Sequence, residues 1–301
     1  MAKERKVDQQ TQRPRPRAEG FTVLIPAYDE SGSIAGVVAE LQEALGSCGR
    51  PWEILLIDDG LTDGTGRIAA DLGVRVIQHG SNLGYGASLK TGIRRARYDL
   101  IAITDADGTY PPSKLLELVA AMEDGDMAVG ARTGERVHIP FVRKPMKWCL
   151  RKLAEFLAGA EIPDLNSGLR CFSWRQIEEY LHLLLNGFSF TTTLTLAYHS
   201  DSRLVRYLPV DYQRRTGKSK IRPLRDSYNF LLLILRTVMY FDPMRIFMPP
   251  ALVSLATTVV TLGYEVFWSH NLAESSLLWL LITVVLFGLA LLKDLIVKRR
   301  R

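Results

Sequence analysis

Cysteine is scarce in this 301-residue chain: Cys48, Cys149 and Cys171 lie far apart, and no CxxC pair occurs. That spacing excludes a disulfide framework and argues against a thiolate metal centre. Buried free thiols in a reducing compartment are the simpler reading. The first twenty residues, MAKERKVDQQTQRPRPRAEG, contain no apolar stretch, so no secretory leader is expected there. They carry six Lys or Arg and two Pro, and residues 1–20 read as a disordered basic tail. The net charge of +6 suits anionic lipid or phosphorylated substrates. No aromatic residues are interleaved with the basic ones as a stacking platform, so nucleic acid is not expected as a partner.

From Phe21 the chain alternates short apolar runs with segments of helical periodicity. FTVLIPA (21–27), WEILLIDDG (52–60), VRVIQH (74–79) and DLIAITDAD (99–107) read as strands. The segments 33–46, 64–73 and 86–96 between them read as helices. Strands that are apolar throughout indicate a mostly parallel sheet covered on both faces, an open doubly wound α/β domain. Ligands of such sheets sit beyond the carboxyl ends of the strands. Further on, 112–125 reads as a helix, MAVGAR (127–132) as a short strand and 142–159 as a basic amphipathic helix. DLNSGLRCFSW (164–174) is a loop entering a strand, and YQRRTGKSK (212–220) is a basic loop.

Acidic residues collect at the strand ends: PAYDE after the first strand, Asp58-Asp59-Gly60 after the second and Asp105-Ala106-Asp107 after the fourth. Any one of these is an ordinary turn signal. Three on one edge of one sheet are not explained by turns. In extended backbone, residues two apart project to the same side, so Asp105 and Asp107 can share one hard cation. Two carboxylates leave coordination positions open, which suits Mg²⁺ or Mn²⁺ completed by water and phosphate oxygens, as in a bound nucleotide diphosphate.

Two long apolar runs follow, Phe247–Trp268 (22 residues, interrupted by charge only at Glu265) and Leu277–Leu292 (16 residues). With its flanks, and with Lys293 reaching outward, the second covers the roughly 30 Å of a bilayer core. They read as a transmembrane hairpin; a buried helical hairpin is the alternative. The loop between them has no Lys or Arg, while KRRR (298–301) and the basic segment before Phe247 lie on the other side, so both termini are expected in the cytoplasm. DSYNFLLLILRTVMYF (226–241) is amphipathic and expected along the cytoplasmic interface.

IPAYDES (25–31), IDDGLTDGT (57–65), SNLGYGASLKTG (81–92) and TDADGTYPP (104–112), in this order, resemble the family 2, GT-A-fold glycosyltransferases. DLNSGLRCF (164–172) and RRTGKSK (214–220) are similar to segments of the polyprenyl-phosphate group within it, which includes dolichol-phosphate mannose synthases and bacterial polyprenyl-phosphate glucosyltransferases. The resemblance covers residues 21–240; together with the apolar runs and the charge pattern it gives an expected catalytic domain over 21–222, a juxtamembrane helix region over 223–246, two transmembrane helices over 247–297 and a basic tail over 298–301. It implies inverting, metal-dependent transfer of a hexose from a UDP- or GDP-sugar to a polyprenyl phosphate at the cytoplasmic face of the membrane.

Carried over residue by residue, Pro26, Tyr28, Glu30 and Asp58 would border the nucleoside. Asp105, Ala106 and Asp107 would hold the metal and the diphosphate, and Arg214 and Lys220 would lie on phosphates. Arg132, Arg143 and Ser167 would face the acceptor phosphate, which makes Asp107, Arg132, Arg143, Arg214 and Lys220 the catalytic set. For Arg143, Lys144, Lys147, Arg151 and Lys152 a solvated helix face near anionic lipid is an equal reading. The resemblance is compatible with a homo-oligomer. One departure stands out: many relatives carry Leu-Gln after the acidic pair, where this chain has Gly108-Thr109, so the third metal ligand passes to the Thr109 hydroxyl, water or another side chain. A processive polysaccharide synthase would bring a QxxRW motif and further membrane helices, yet no Arg-Trp pair occurs here. A non-catalytic, membrane-anchored nucleotide-binding scaffold would not need Asp105, Asp107, Arg214 and Lys220 together.

Overall fold

The computed structural model describes residues 17–60, 63–133, 144–184, 186–187, 189–211, 223–269 and 274–300. The apolar runs become strands β1 (Arg17–Ala27), β2 (Trp52–Asp58), β3 (Arg75–Gln78) and β4 (Tyr98–Ile103), alternating with helices α1 (Ile34–Gly46), α2 (Thr65–Asp71) and α3 (Tyr85–Arg95). Beyond them lie α4 (Pro112–Ala121), β5 (Met127–Ala131), α5 (Lys144–Ala158), β6 (Arg170–Ser173), α6 (Trp174–Glu178), α7 (Phe190–Ser200) and β7 (Val205–Pro209). The seven strands form one sheet in the order β3-β2-β1-β4-β6-β5-β7. All pairings are parallel except those of β6, which runs antiparallel to both β4 and β5.

Because strand side chains alternate between faces, β1 serves two cores at once. Val23 and Ile25 pack with Val37, Val38 and Leu41 of α1 and Leu115 and Leu118 of α4. Leu24 points the other way, towards Leu89 and Ile93 of α3 and Phe190 and Leu194 of α7. Each such side chain removed from water contributes about 1.5–3 kcal/mol, which is why the strands read as continuous apolar runs. On the α3 face the packing is closest at Gly92, where an added Cβ would lie 2.0 Å from Leu24 Cδ1. Gly92→Ala is therefore expected to lower Tm through overpacking worth about 1–3 kcal/mol, although Ala is the better helix former. Thermal melting of the two proteins checks this.

The expected basic tail over 1–20 is corrected at its far end. Arg17–Gly20 belong to β1, and the Arg17 N–H donates to the Arg97 carbonyl at 2.8 Å. Gly20 makes this possible: its φ of +99° and its approach to the Pro51 carbonyl and the Tyr98 ring leave no room for a side chain. Residues 1–16 lie outside the described residues.

Three elements were not expected from the sequence pattern: α6, α7 and β7. α7, FTTTLTLAYHS, is buried along nearly its whole length and carries four threonines, which disfavour helix in isolation. Tertiary burial holds it helical. The C-terminal part consists of α8 (Pro223–Phe241), α9 (Met244–Tyr264), which continues as a π-helical turn over Glu265–Ser269, and α10 (Glu274–Arg300). Spans of 25 and 24 residues, Met244–Trp268 and Glu274–Val297, are long and apolar enough to cross a membrane, and most of their surface is not covered by the protein. Polar side chains lie on the seam between them. Ser254 donates to the Trp279 carbonyl at 3.0 Å, Thr283 donates to Ser254 at 2.9 Å, and Ser275 donates to Glu265 at 2.8 Å. The hairpin joins the α/β domain through Arg245, which donates to the Leu157 carbonyl at the end of α5 and packs on Gly159.

Candidate active site

The strand order reverses between β1 and β4, so a crevice opens at their carboxyl ends. The loops after β1, β2 and β4 line it. Acids order the loop after β2, and one of them, Asp63, ties it to the loop after β1. Asp58 accepts from the Gly66 N–H at 3.1 Å, from Gln78 Nε2 at 3.0 Å and from the Gly60 N–H at 3.3 Å, and it is almost fully buried. Its neighbour Asp59 takes the Leu83 and Gly84 N–H groups at 2.9 and 2.7 Å and His79 Nδ1 at 2.6 Å, while His79 Nε2 meets Thr91 Oγ1 at 2.9 Å. Asp59 thus fixes the loop that enters α3. Asp63 accepts from the Ser31 N–H at 2.8 Å and from the Thr65 hydroxyl and N–H. Burial raises the Asp63 pKa, but these hydrogen bonds outweigh it and hold the carboxyl below its usual range. Of the nucleoside candidates, Pro26 is buried in β1 opposite Ile57, Tyr28 stands 42% exposed at the strand end, and Glu30 accepts from Ser33 at 3.0 Å.

Asp105, Ala106 and Asp107 follow the end of β4 after one intervening residue, Thr104. Gly108 takes a φ of +70°, which turns the chain back so that the Thr109 hydroxyl and N–H donate to Asp107 Oδ1 at 2.6 and 3.2 Å. Thr109 is 1% exposed, so its hydroxyl fixes the Asp107 carboxylate from behind. Of the options for a third ligand this disfavours Thr109 and leaves water or another group. The Tyr85 hydroxyl donates to Asp105 Oδ1 at 3.4 Å. Burial first, then the charge of Asp105, pushes the Tyr85 and Tyr110 phenols up, so both stay protonated.

The loop 164–169 closes the other side. The Tyr110 hydroxyl accepts from the Gly168 N–H at 3.0 Å and meets Ser167 Oγ at 3.3 Å. Ser167, a candidate for acceptor binding, is therefore completely buried behind the crevice, and its hydroxyl also accepts from the Leu169 N–H. Gly168 lies so close to Asp105 that a Cβ would come within 2.6 Å of both carboxylate oxygens. Arg132 donates through Nε and Nη2 to the two oxygens of Asp164 at 2.6 and 2.9 Å, a bidentate pair. Arg143, Arg214 and Lys220 lie outside the described residues.

Burial raises the Asp164 pKa, but Arg132 outweighs it and holds the carboxyl below its usual range. A depressed folded value means stability that is present above the unfolded pKa of about 3.9 and lost as pH falls through the folded one. Between about pH 5 and pH 3, Tm of the wild type is accordingly expected to fall further than Tm of Asp164→Asn, as melting at the two pH values would read.

Among the described residues no three His, Cys, Asp or Glu gather as a metal cluster. The donor set of Asp105 and Asp107 fits a hard divalent cation whose remaining positions are filled by phosphate oxygens and water. The crevice and the paired acids at its edge suit a glycosyltransferase. The family model "Glycosyl transferase family 2" matches residues 22–180, and the chain belongs to that family.

Relatives include an undecaprenyl-phosphate mannosyltransferase of Micrococcus luteus, 26% identical over 66% of this chain and 86% of its own. A polyprenol monophosphomannose synthase of Mycolicibacterium smegmatis is 29% identical over 71% of this chain and 84% of its own. Among solved structures, glucosyl-3-phosphoglycerate synthase of Mycobacterium tuberculosis, in complex with Mn²⁺, UDP and glucosyl-3-phosphoglycerate, is similar with a TM-score of 0.55 and 18% identity. That likeness covers 73% of this chain and 79% of the other, and it establishes the shared fold.

Several residues of the site escaped the sequence reading. Asp59 was visible as the second half of an acidic pair. Tyr85, Tyr110 and Arg170 lie within the quoted motifs, but no pattern in the sequence marks them as buried together.

Proposed function

We propose that the chain transfers a hexose from a UDP- or GDP-sugar to a polyprenyl phosphate, with inversion, at the cytoplasmic face of a membrane. The observation that carries this reading is the acidic pair Asp105/Asp107 at the β1/β4 crevice of a domain joined to an apolar helical hairpin. The relatives named as polyprenyl-phosphate sugar transferases support the acceptor class. The basic residues Lys298–Arg301 at the C-terminal end and a connection within the hairpin that has no Lys or Arg support termini on the cytoplasmic side. Trp148 and Phe156 stand exposed on α5, whose end is held to α9 by Arg245, and this suits contact with the same membrane face.

In the reaction, an oxygen of the acceptor phosphate forms a bond to the anomeric carbon while the bond from that carbon to the diphosphate breaks. The nucleoside diphosphate leaves with the electron pair. A phosphate monoester is largely ionised at neutral pH, so the protein needs no strong base. Its work is placement and charge compensation. Asp105 and Asp107 would hold Mg²⁺ or Mn²⁺, which when bound offsets the charge of the departing diphosphate. Asp59 and Asp63 fix the loops beside the nucleoside, Thr109 orients Asp107, and Tyr85 donates to Asp105. Arg214 and Lys220 would meet phosphates.

A donor screen tests the proposal: purified full-length protein, a short-chain polyprenyl phosphate, Mg²⁺ or Mn²⁺, and a panel of UDP- and GDP-hexoses, with the lipid product read by mass. One donor is expected to give a polyprenyl-phosphate hexose with release of its nucleoside diphosphate. No lipid product from any donor would overturn the reading.

A further inference from the structure

Arg170 is the largest fully buried side chain among the described residues. A guanidinium taken out of water ordinarily keeps a carboxylate partner, yet all three of its hydrogen bonds run to neutral oxygens. Nε donates to the Ser167 carbonyl at 2.9 Å, and Nη1 donates to the Thr191 carbonyl and the Thr195 hydroxyl, each at 3.0 Å. Nη2 is buried without a hydrogen-bond partner among the described residues. Hydrophobic packing alone would be served better by Leu or Met at this place, so the cation needs a reason.

Its position supplies one. Ser167, whose carbonyl it holds, precedes Gly168, and Gly168 abuts both oxygens of Asp105. Tyr110 holds the same glycine by its N–H, and Tyr85 donates to Asp105. Thr191 and Thr195 belong to α7, whose Thr192 hydroxyl donates to the side chain of Asn166 in the same loop. Arg170 thus joins α7 to the loop that walls the acidic crevice. The charge of Asp164 favours the buried guanidinium and partly offsets the cost of its burial.

We propose that Arg170 is a positioning residue for the divalent-cation site: through Ser167 and Gly168 it sets the carboxylate of Asp105. The inference rests on the metal-dependent reading above. It differs from that reading in assigning cation affinity to a side chain that touches neither cation nor substrate. Groups that orient a ligand from outside typically change metal affinity 10–100-fold when replaced.

The test uses full-length protein in lipid nanodiscs. Mn²⁺ is titrated in the presence of UDP and, separately, GDP, with free Mn²⁺ read by electron paramagnetic resonance and Tm recorded alongside. Arg170→Lys keeps the charge and loses the fork, and Mn²⁺ affinity is expected to fall about 10-fold or more. Thr195→Val keeps the shape and removes one anchor. It is expected to weaken Mn²⁺ binding roughly 2–10-fold, the factor equivalent to one hydrogen bond. A purely structural role would lower Tm and leave Mn²⁺ affinity at the wild-type value. Wild-type Mn²⁺ affinity in a folded Arg170→Lys protein overturns the proposal, and where that variant does not fold, wild-type affinity in Thr195→Val does so. Wild-type protein that bound no Mn²⁺ with either nucleotide would overturn the metal-dependent reading itself, and this proposal with it.

Discussion

Asp107→Asn is expected to lower metal-dependent transfer by about 1,000-fold or more with little change in Tm. The two halves of that expectation come from different atoms. The Thr109 hydroxyl and N–H both donate to Asp107 Oδ1, and an asparagine in the same rotamer offers a carbonyl oxygen in that place. The turn around Gly108 therefore keeps its hydrogen bonds. What disappears is the negative charge that a hard divalent cation requires of its ligand. Stability and chemistry separate cleanly in this variant, so a loss of activity cannot be ascribed to unfolding. The measurements are kcat/KM with a saturating metal series and a thermal melt of the same preparation. Near-normal transfer by the folded variant would remove Asp107 from the mechanism.

The first half of the domain was legible in the sequence because its physics is local. β1, β2 and β4 are buried on both faces, so they read as unbroken apolar runs, and the acids that end them mark the carboxyl edge. The second half is held by tertiary contacts that no window of sequence contains. α7 is helical against the preference of its threonines because it is buried between the sheet and α8. β6 enters antiparallel between β4 and β5, a pairing set by partners far away in the chain. The site divides in the same manner. Asp105 and Asp107 announce themselves by their spacing. The partners that hold them do not. An arginine in a sequence looks like a surface residue until its carbonyl and hydroxyl partners on another helix are seen, and this is the situation of Arg170. Arg132 likewise gives no sign in the sequence of its bidentate pair with Asp164, 32 residues away.

Gly168→Ala is expected to reduce transfer by about 100-fold or more, with a larger effect on metal affinity than on the KM for the lipid. The added methyl has nowhere to go. Its position lies 2.6 Å from each oxygen of Asp105, well inside van der Waals contact, and the loop behind it is fastened by Tyr110 to the Gly168 N–H and by Arg170 to the Ser167 carbonyl. Either the loop withdraws, stretching hydrogen bonds that are buried and costing about 1–3 kcal/mol each if broken, or the Asp105 carboxylate turns away. Asp105 is the softer member, since its side chain can rotate while Arg170 and Tyr110 hold the loop of Gly168 fixed. The methyl group should therefore push the carboxylate out of the geometry that one cation needs while the protein remains folded. Mn²⁺ titration and kcat/KM on the variant decide this. Unchanged Mn²⁺ affinity together with unchanged transfer would show that Asp105 tolerates displacement and that the close approach of Gly168 has no bearing on the cation site.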